Sequence, residues 1–192
     1  MRLRKHRIAP ATDAVLSEES RARLATIAAG RGRAPNVFTT LARSEHGFMP
    51  FLGWAGFVLS KKNSLPARER EIVILRIGFL CQSGYEFAQH ERIGLGAGLT
   101  TDEIRRIKVG AADPGWSEPE QALLAASDEM QSDQFITEAT WNRLGVHLSE
   151  TQLMDLVFTA SNYVLVSTIL NTFGVQLDEG FTLDPDLDGR QP

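Results

Sequence analysis

Three ionisable side chains, Glu71, Glu86 and His90, lie close together along one stretch of the sequence. Glu86 and His90 are four residues apart, so on a helix they would share one face. A carboxylate at that spacing can hold one ring nitrogen of the imidazole and leave the other free to give or take a proton. Glu71 lies in very apolar sequence, where desolvation would suit a second carboxyl to a proton relay. The pattern predicts acid–base chemistry, although the same spacing also fits an ordinary ion pair on a helix surface.

The other residues that could take part in catalysis or bind a metal are weaker candidates. Cys81 is the only cysteine, so no disulfide can form within the chain, and a lone cysteine in apolar sequence is more often buried and inert than reactive. His6, His46 and His147 have no neighbours at metal-ligand spacing, so no metal site is predicted.

The composition fits one globular domain with arms. The chain has 192 residues, 43% of them apolar, and a formal net charge of -4. That charge gives no general attraction to nucleic acid or to an anionic membrane. The longest apolar stretch, residues 72–81, is too short to span a bilayer, and the start has no signal-peptide pattern. We therefore expect a soluble cytoplasmic protein.

Helix-start and helix-end signals recur along the whole chain, whereas strand-like alternation is nearly absent, so an all-α fold is predicted. A helix-turn-helix hairpin is expected around Gly84, and it carries all three candidate residues. Ser64 is predicted to cap the first hairpin helix. Two helices between residues 35 and 59 are expected to break near Gly47 and Pro50. Three capping boxes predict later helices, at Thr100 and Glu103, Ser117 and Glu120, and Ser149 and Gln152.

Breaks in the pattern divide the chain into three parts. Residues 1–33 form an N-terminal arm with one short helix, residues 34–180 a helical domain, and residues 181–192 a weakly ordered tail. The arm begins with a basic segment, residues 2–7, that we expect to be solvated and partly disordered. The tail is expected to form an extended strap or to lie on a partner subunit.

Four segments together resemble one family. They are residues 65–76, Cys81 with residues 85–90, residues 34–42 and residues 171–180. In these segments the chain is similar to the carboxymuconolactone decarboxylase and alkylhydroperoxidase-D-like (AhpD-like) family. The resemblance implies an AhpD-like helical bundle that assembles into homo-oligomers, commonly trimers or hexamers, and that needs no organic cofactor.

The resemblance also assigns roles. In the peroxidase branch a glutamate, a CxxC pair and a histidine form the centre; Glu71 and His90 match, but Ser83 and Glu86 replace the cysteines. Peroxide reduction by two thiols is therefore nearly excluded. The decarboxylase branch carries Glu-x-x-x-His here, which makes Glu71, Glu86 and His90 catalytic. On this hypothesis Ser83 and Tyr85 donate hydrogen bonds to the substrate.

The predicted function is a cofactor-free decarboxylase or lyase acting on a small cyclic or unsaturated (lactone) carboxylic acid in a degradative pathway. One alternative is a peroxide-reducing antioxidant protein in which Cys81 works with an external thiol. The other is a non-catalytic oligomeric protein that binds a small molecule.

Overall fold

The structure is a computed structural model that describes residues 1–30 and 32–189. Within these ranges the chain forms nine α-helices and no β-strand, so the all-α prediction is confirmed. The helices are α1 (Glu18–Ala28), α2 (Asn36–Leu41), α3 (Glu45–Val58), α4 (Ala67–Leu80), α5 (Gly84–Gly96), α6 (Thr101–Val109), α7 (Glu118–Asp133), α8 (Glu138–Gly145) and α9 (Glu150–Phe173).

Helix α4 is the centre of the bundle and packs against α5, α6, α7 and α9. Eight consecutive residues of it, 71–78, are buried, as expected for a helix surrounded by others. Two of the eight are charged, Glu71 and Arg76. The Arg76 guanidinium donates to Asp128 Oδ1 over 2.6 Å and to the carbonyls of residues 107 and 108, so its charge is satisfied. The burial of Glu71 follows from the central position of α4.

A tight turn joins α4 to α5 and forms the predicted hairpin. Gln82 takes a left-handed conformation with φ 54°, and the Ser83 amide donates to the Gly78 carbonyl over 2.9 Å. The glycine at position 84 is required by space, because a Cβ there would overlap Leu183 and the Met1 amine. The turn therefore sets the face of α5 that Glu86 and His90 present to α4.

The three predicted capping boxes are present at the starts of α6, α7 and α9. The predicted cap at Ser64 is wrong, because α4 begins after Pro66. Ser64 instead donates from its amide and its hydroxyl to Asp155 Oδ2, each over 2.6 Å. The Ser64 hydroxyl is thus engaged by a carboxylate from α9 instead of by the amides at the start of α4.

The predicted break near Gly47 and Pro50 is also wrong. The chain breaks at residues 42–44, between α2 and α3, and Pro50 lies inside α3. Pro50 is the sixth residue of that helix, so its missing N–H removes a hydrogen bond only one turn after the start. Packing of Phe48 and Leu52 into a small cluster with Leu24 keeps the helix continuous there.

Helix α9 is long and apolar enough to cross a membrane by length and composition. Within its most apolar window, 56% is buried inside the protein. Such burial is typical of the central helix of a folded domain. Asp155 and Asn162, both buried, place polar groups within the same helix.

The N-terminal arm packs on the end of α9. The Arg7 amide donates to the Phe173 carbonyl over 2.8 Å, and Gln176 Nε2 donates to the Leu3 carbonyl over 3.4 Å. The basic side chains of this segment are exposed, as expected, whereas its backbone hydrogen bonds to the end of α9 were not expected. Backbone hydrogen bonds to a rigid helix end fix it despite its basic composition.

The described part of the tail also contacts the body of the same chain. Leu187 is buried in the core cluster around α6, and its carbonyl accepts from the Met1 amine. Lys108 forms ion pairs with Asp184 and Asp186. These contacts hold residues 184–187 against the body, which the tail's composition does not predict. Residues 190–192 lie outside the described residues, and the division of the chain at residues 33 and 180 stays a prediction.

Candidate active site

The hairpin brings Glu71, Glu86 and His90 into direct contact. Glu71 Oε2, from α4, lies 2.7 Å from His90 Nδ1, and Glu86 Oε1, one turn before His90 on α5, lies 3.0 Å from His90 Nε2. Each nitrogen of the imidazole therefore faces a carboxylate. Such an arrangement fixes the plane of the ring and favours its doubly protonated form.

Helix α9 contributes a fourth member, Tyr163. Its hydroxyl lies 3.1 Å from His90 Nε2, and its ring meets the imidazole edge to face with centroids 4.9 Å apart. Burial, together with the charges of Glu86 and Glu71, raises the pKa of Tyr163 well above its ordinary value. The phenol therefore stays neutral and serves as a hydrogen-bonding group.

The cluster is almost closed to solvent, since Glu71, Glu86 and His90 are 1%, 4% and 5% exposed. Burial alone would lower the pKa of His90, but the charges of Glu86 and Glu71 and their hydrogen bonds outweigh it and raise the pKa to about 10. His90 is therefore an imidazolium at neutral pH. Glu71 Oε1 is buried without a hydrogen-bond partner, so this oxygen is available to take a proton in a relay.

A cavity of about 380 Å³ opens beside this cluster. Its wall is mainly apolar and includes Val37, Phe38, Phe51, Leu59, Ile93 and Val166. Its polar lining consists of Tyr85, Glu86, Gln89, His90, Asn162 and Tyr163. Glu71 does not line the cavity and lies behind His90. A bound molecule would thus meet Glu86 and His90 directly, while Glu71 acts on them from the protein side.

Tyr85 lines the cavity, but its hydroxyl is already engaged. It donates to Asp178 Oδ2 over 2.6 Å and accepts from the Val37 amide over 3.3 Å. Gln89 Nε2 donates to the same carboxylate over 2.7 Å. Burial and the Asp178 carboxylate raise the pKa of Tyr85. Tyr85 therefore anchors the segment after α9 over the cavity, and its predicted role toward substrate stays a prediction.

The other two predicted residues lie apart from the cavity. Ser83 is fully buried in the hairpin turn, does not line the cavity, and its hydroxyl has no hydrogen-bond partner. Cys81 is half-buried at the end of α4 and likewise does not line the cavity. Burial raises the pKa of the Cys81 thiol, which disfavours the reactive thiolate. The geometry does not bring either residue to the cluster.

Helix α9 brings two residues to the site, of which Asn162 was not expected there from the sequence, while Tyr163 fits a pocket wall but, as an aromatic residue, fits a core position better. A polar amide beside a tyrosine within a long apolar helix was the available signal. Among the residues that the structure describes, no group of three His, Cys, Asp or Glu side chains is arranged to hold a metal ion. Both nitrogens of His90 are already directed at carboxylates.

The sequence model of the carboxymuconolactone decarboxylase family matches residues 50–129, a segment that contains Glu71, Glu86 and His90. No curated protein matches the chain. The structure resembles an uncharacterized peroxidase-related protein of Ralstonia eutropha JMP134 with an alkylhydroperoxidase AhpD core, at TM-score 0.80 and 22% identity, covering 98% of this chain and 100% of that one.

Two further solved structures are similar in fold. An uncharacterized peroxidase-related protein from Silicibacter sp. TM1040 matches at TM-score 0.75 and 13% identity, covering 97% of each chain. The debrominase Bmp8, in complex with 2,3,4-tribromopyrrole, matches at TM-score 0.75 and 11% identity, covering 92% of this chain and 94% of that one. These likenesses show an AhpD-like helical fold and confirm that prediction. The likeness to the carboxymuconolactone decarboxylase family model thus covers residues 50–129, and the likeness in fold extends over nearly the whole chain.

Proposed function

We propose that this protein is a cofactor-free decarboxylase or lyase that acts on a small cyclic or unsaturated carboxylic acid, such as a lactone acid, in a degradative pathway. One observation carries the proposal: an imidazolium, His90, lies buried between two carboxylates at the wall of an apolar cavity. A buried acid at the wall of a mainly apolar hollow is suited to delivering a proton to carbon.

The chemistry can be written with His90 as the only acid. The bond between the substrate and its carboxylate breaks, carbon dioxide leaves, and the electron pair passes into the conjugated system toward a carbonyl oxygen. His90 then gives its proton to carbon and becomes neutral imidazole, and a proton from solvent restores it. Glu86, on the cavity side, orients the ring, while Glu71 holds Nδ1 from behind and can relay the returning proton.

The setting supports this reaction. A substrate carboxylate beside Glu86 would be poorly solvated and close to the negative charge of Glu86. Both effects favour its departure as neutral carbon dioxide. The cavity of about 380 Å³ lies in the range of small-molecule sites. The debrominase of similar fold holds 2,3,4-tribromopyrrole, a small ring compound. That complex on a similar fold supports a small ring compound as the ligand proposed here.

The redox alternative has less support. It requires Cys81 to attack a peroxide, but the thiol lies outside the cavity and its pKa is raised by burial. A purely binding role does not account for three ionisable groups buried together. Burying charge is costly, and a pocket that only binds a small molecule could be lined with apolar residues instead. Assembly into trimers or hexamers and a cytoplasmic location stay predictions.

The direct test is turnover of a panel of β,γ-unsaturated lactone acids, with carbon dioxide release and product mass as readouts. We expect one panel member to lose carbon dioxide, and His90→Gln to reduce that rate roughly 10²- to 10⁴-fold. His147→Gln is the matched control, because His147 also pairs with a glutamate, Glu118, but on the surface. Full activity in the His90 variant would overturn the proposal.

A further inference from the structure

Asn162 lies in the cavity wall and has a polar side chain without a hydrogen-bond partner in the described part of the chain. It is 3% exposed and lines the same cavity as Glu86 and His90. Its Oδ1 is buried without a hydrogen-bond partner. Among the described residues its Nδ2 has no hydrogen-bond partner either and, unlike Oδ1, is not fully buried, so the N–H is the end of the amide that a molecule in the cavity can reach.

The other polar groups in this wall already have partners within the protein. Tyr85 and Gln89 both bind Asp178, while Glu86 and Tyr163 both contact the His90 imidazole. An unpaired amide in a protein interior is unfavourable, and native structures contain few of them. The amide of Asn162 is therefore the polar group of the cavity wall that remains available to form a hydrogen bond with a bound molecule.

We propose that the side-chain N–H of Asn162 donates a hydrogen bond to a carbonyl oxygen of the substrate, the oxygen on which negative charge collects as carbon dioxide leaves. This inference rests on the proposed function and adds the substrate class: a small acid in which a conjugated carbonyl lies opposite the carbon that receives the proton. His90 thus delivers the proton to carbon, and Asn162 donates a hydrogen bond to the carbonyl oxygen.

A carbonyl fits this position better than the departing carboxylate does. The cluster beside Asn162 holds two carboxylates against one imidazolium, so an anionic group is disfavoured in the ground state. A carbonyl oxygen is neutral when it binds and becomes negative only as the reaction proceeds. A donor fixed beside it is then worth more in the transition state than in the ground state, which is the condition for rate enhancement.

The inference can be tested without turnover by the binding of para-nitrophenol. The probe is a single ring of suitable size, and its visible absorbance reports how much of it is anionic. We expect wild-type protein to bind the phenolate about ten- to a hundredfold more tightly, relative to the neutral phenol, than Asn162→Leu does, because a hydrogen bond to a charged acceptor is lost. Asn162→Ala, which is smaller, repeats the test if the leucine does not fold, as judged by thermal unfolding.

The matched control is Ser167→Ala. Ser167 lies on the same helix and is fully buried, but its hydroxyl contacts the Cys81 thiol and it does not line the cavity. This variant should bind both forms of the probe as wild type does. The inference is overturned if the Asn162 variants keep the wild-type preference for the anion, if Ser167→Ala loses it equally, or if the wild type binds neither form.

The kinetic counterpart separates this inference from the proposed function. With a lactone acid that turns over, Asn162→Leu should lower kcat about 10²- to 10³-fold with little change in KM. A loss confined to KM would overturn it while leaving decarboxylation in place. If no panel member turns over but the probe result holds, Asn162 still recognises an oxyanion and only the proposed function fails.

Discussion

The pH dependence of stability follows from the pKa of His90. In the unfolded chain the imidazole loses its proton near pH 6.5, whereas in the folded protein it keeps the proton to about pH 10. The raised pKa contributes stability that is complete below pH 6.5 and is lost as the pH rises to about 10. Between those values the folded protein binds one proton more than the unfolded chain.

The expected slope is therefore a loss of about 1.4 kcal/mol of unfolding free energy per pH unit. From pH 7 to pH 10 the loss amounts to about 4 kcal/mol, a large share of the roughly 5–15 kcal/mol that stabilises a typical domain. Urea unfolding followed by circular dichroism at half-unit pH intervals measures it directly. Solvent screens this charge little, since His90 is 5% exposed.

Three variants assign the slope to the cluster. His90→Gln should flatten the dependence across this window, because the titrating group is gone. His147→Gln, which removes a surface histidine paired with Glu118, should leave the slope unchanged. Glu71→Gln should shift the fall in stability to lower pH, since one of the two charges that raise the pKa of His90 is lost. Wild-type stability that stays level from pH 7 to pH 10 would refute the assignment of His90 as an imidazolium.

Three further predictions concern neighbouring groups. Cys81→Ser should leave kcat/KM for the lactone acid within about twofold, because the thiol does not line the cavity; abolished turnover would favour the redox alternative instead. Tyr163→Phe removes the hydroxyl 3.1 Å from His90 Nε2 and should lower kcat about tenfold, as measured by steady-state kinetics. Tyr85→Phe removes the hydrogen bond to Asp178 and should lower the free energy of unfolding in urea by about 1–3 kcal/mol.

Local signals in the sequence predicted the helix ends well. The capping boxes at Thr100, Ser117 and Ser149 need only residues three apart, and all three are present. Ser64 has the same residue type but a different partner, because Asp155 approaches from α9, 91 positions away. Pro50 shows the same limit of local signals. A proline usually ends a helix, but packing of its neighbours keeps α3 continuous through this position.

The residues of the site likewise divide into those that local sequence signals predict and those that they do not. The contact between Glu86 and His90 was predictable, because four residues on one helix fix it. Glu71 was predictable from its apolar surroundings together with the family resemblance. Asn162 and Tyr163 were not, since their position depends on how α9 crosses the hairpin, which no local spacing encodes. Ser83 shares the helical spacing but lies at the turn, where its side chain faces away from the cavity lining.

The burial of three ionisable groups raises the question of whether they serve the fold or the chemistry. A buried charged cluster is often no more stabilising than apolar residues of the same volume, whereas removal of one member leaves the others uncompensated. The single variant Glu71→Met should therefore cost about 3–5 kcal/mol of unfolding free energy, because His90 loses the carboxylate at Nδ1.

The triple variant Glu71→Met, Glu86→Met and His90→Leu should recover that loss and reach wild-type stability or exceed it by about 1–4 kcal/mol, with no remaining turnover. Urea unfolding at pH 7 compares the two variants, and circular dichroism checks that the helical content is unchanged. Recovery would mean that the fold does not need the cluster, which leaves the reaction as the reason for it. A triple variant less stable than Glu71→Met would instead make the cluster a structural element, because the apolar hairpin alone could not replace it.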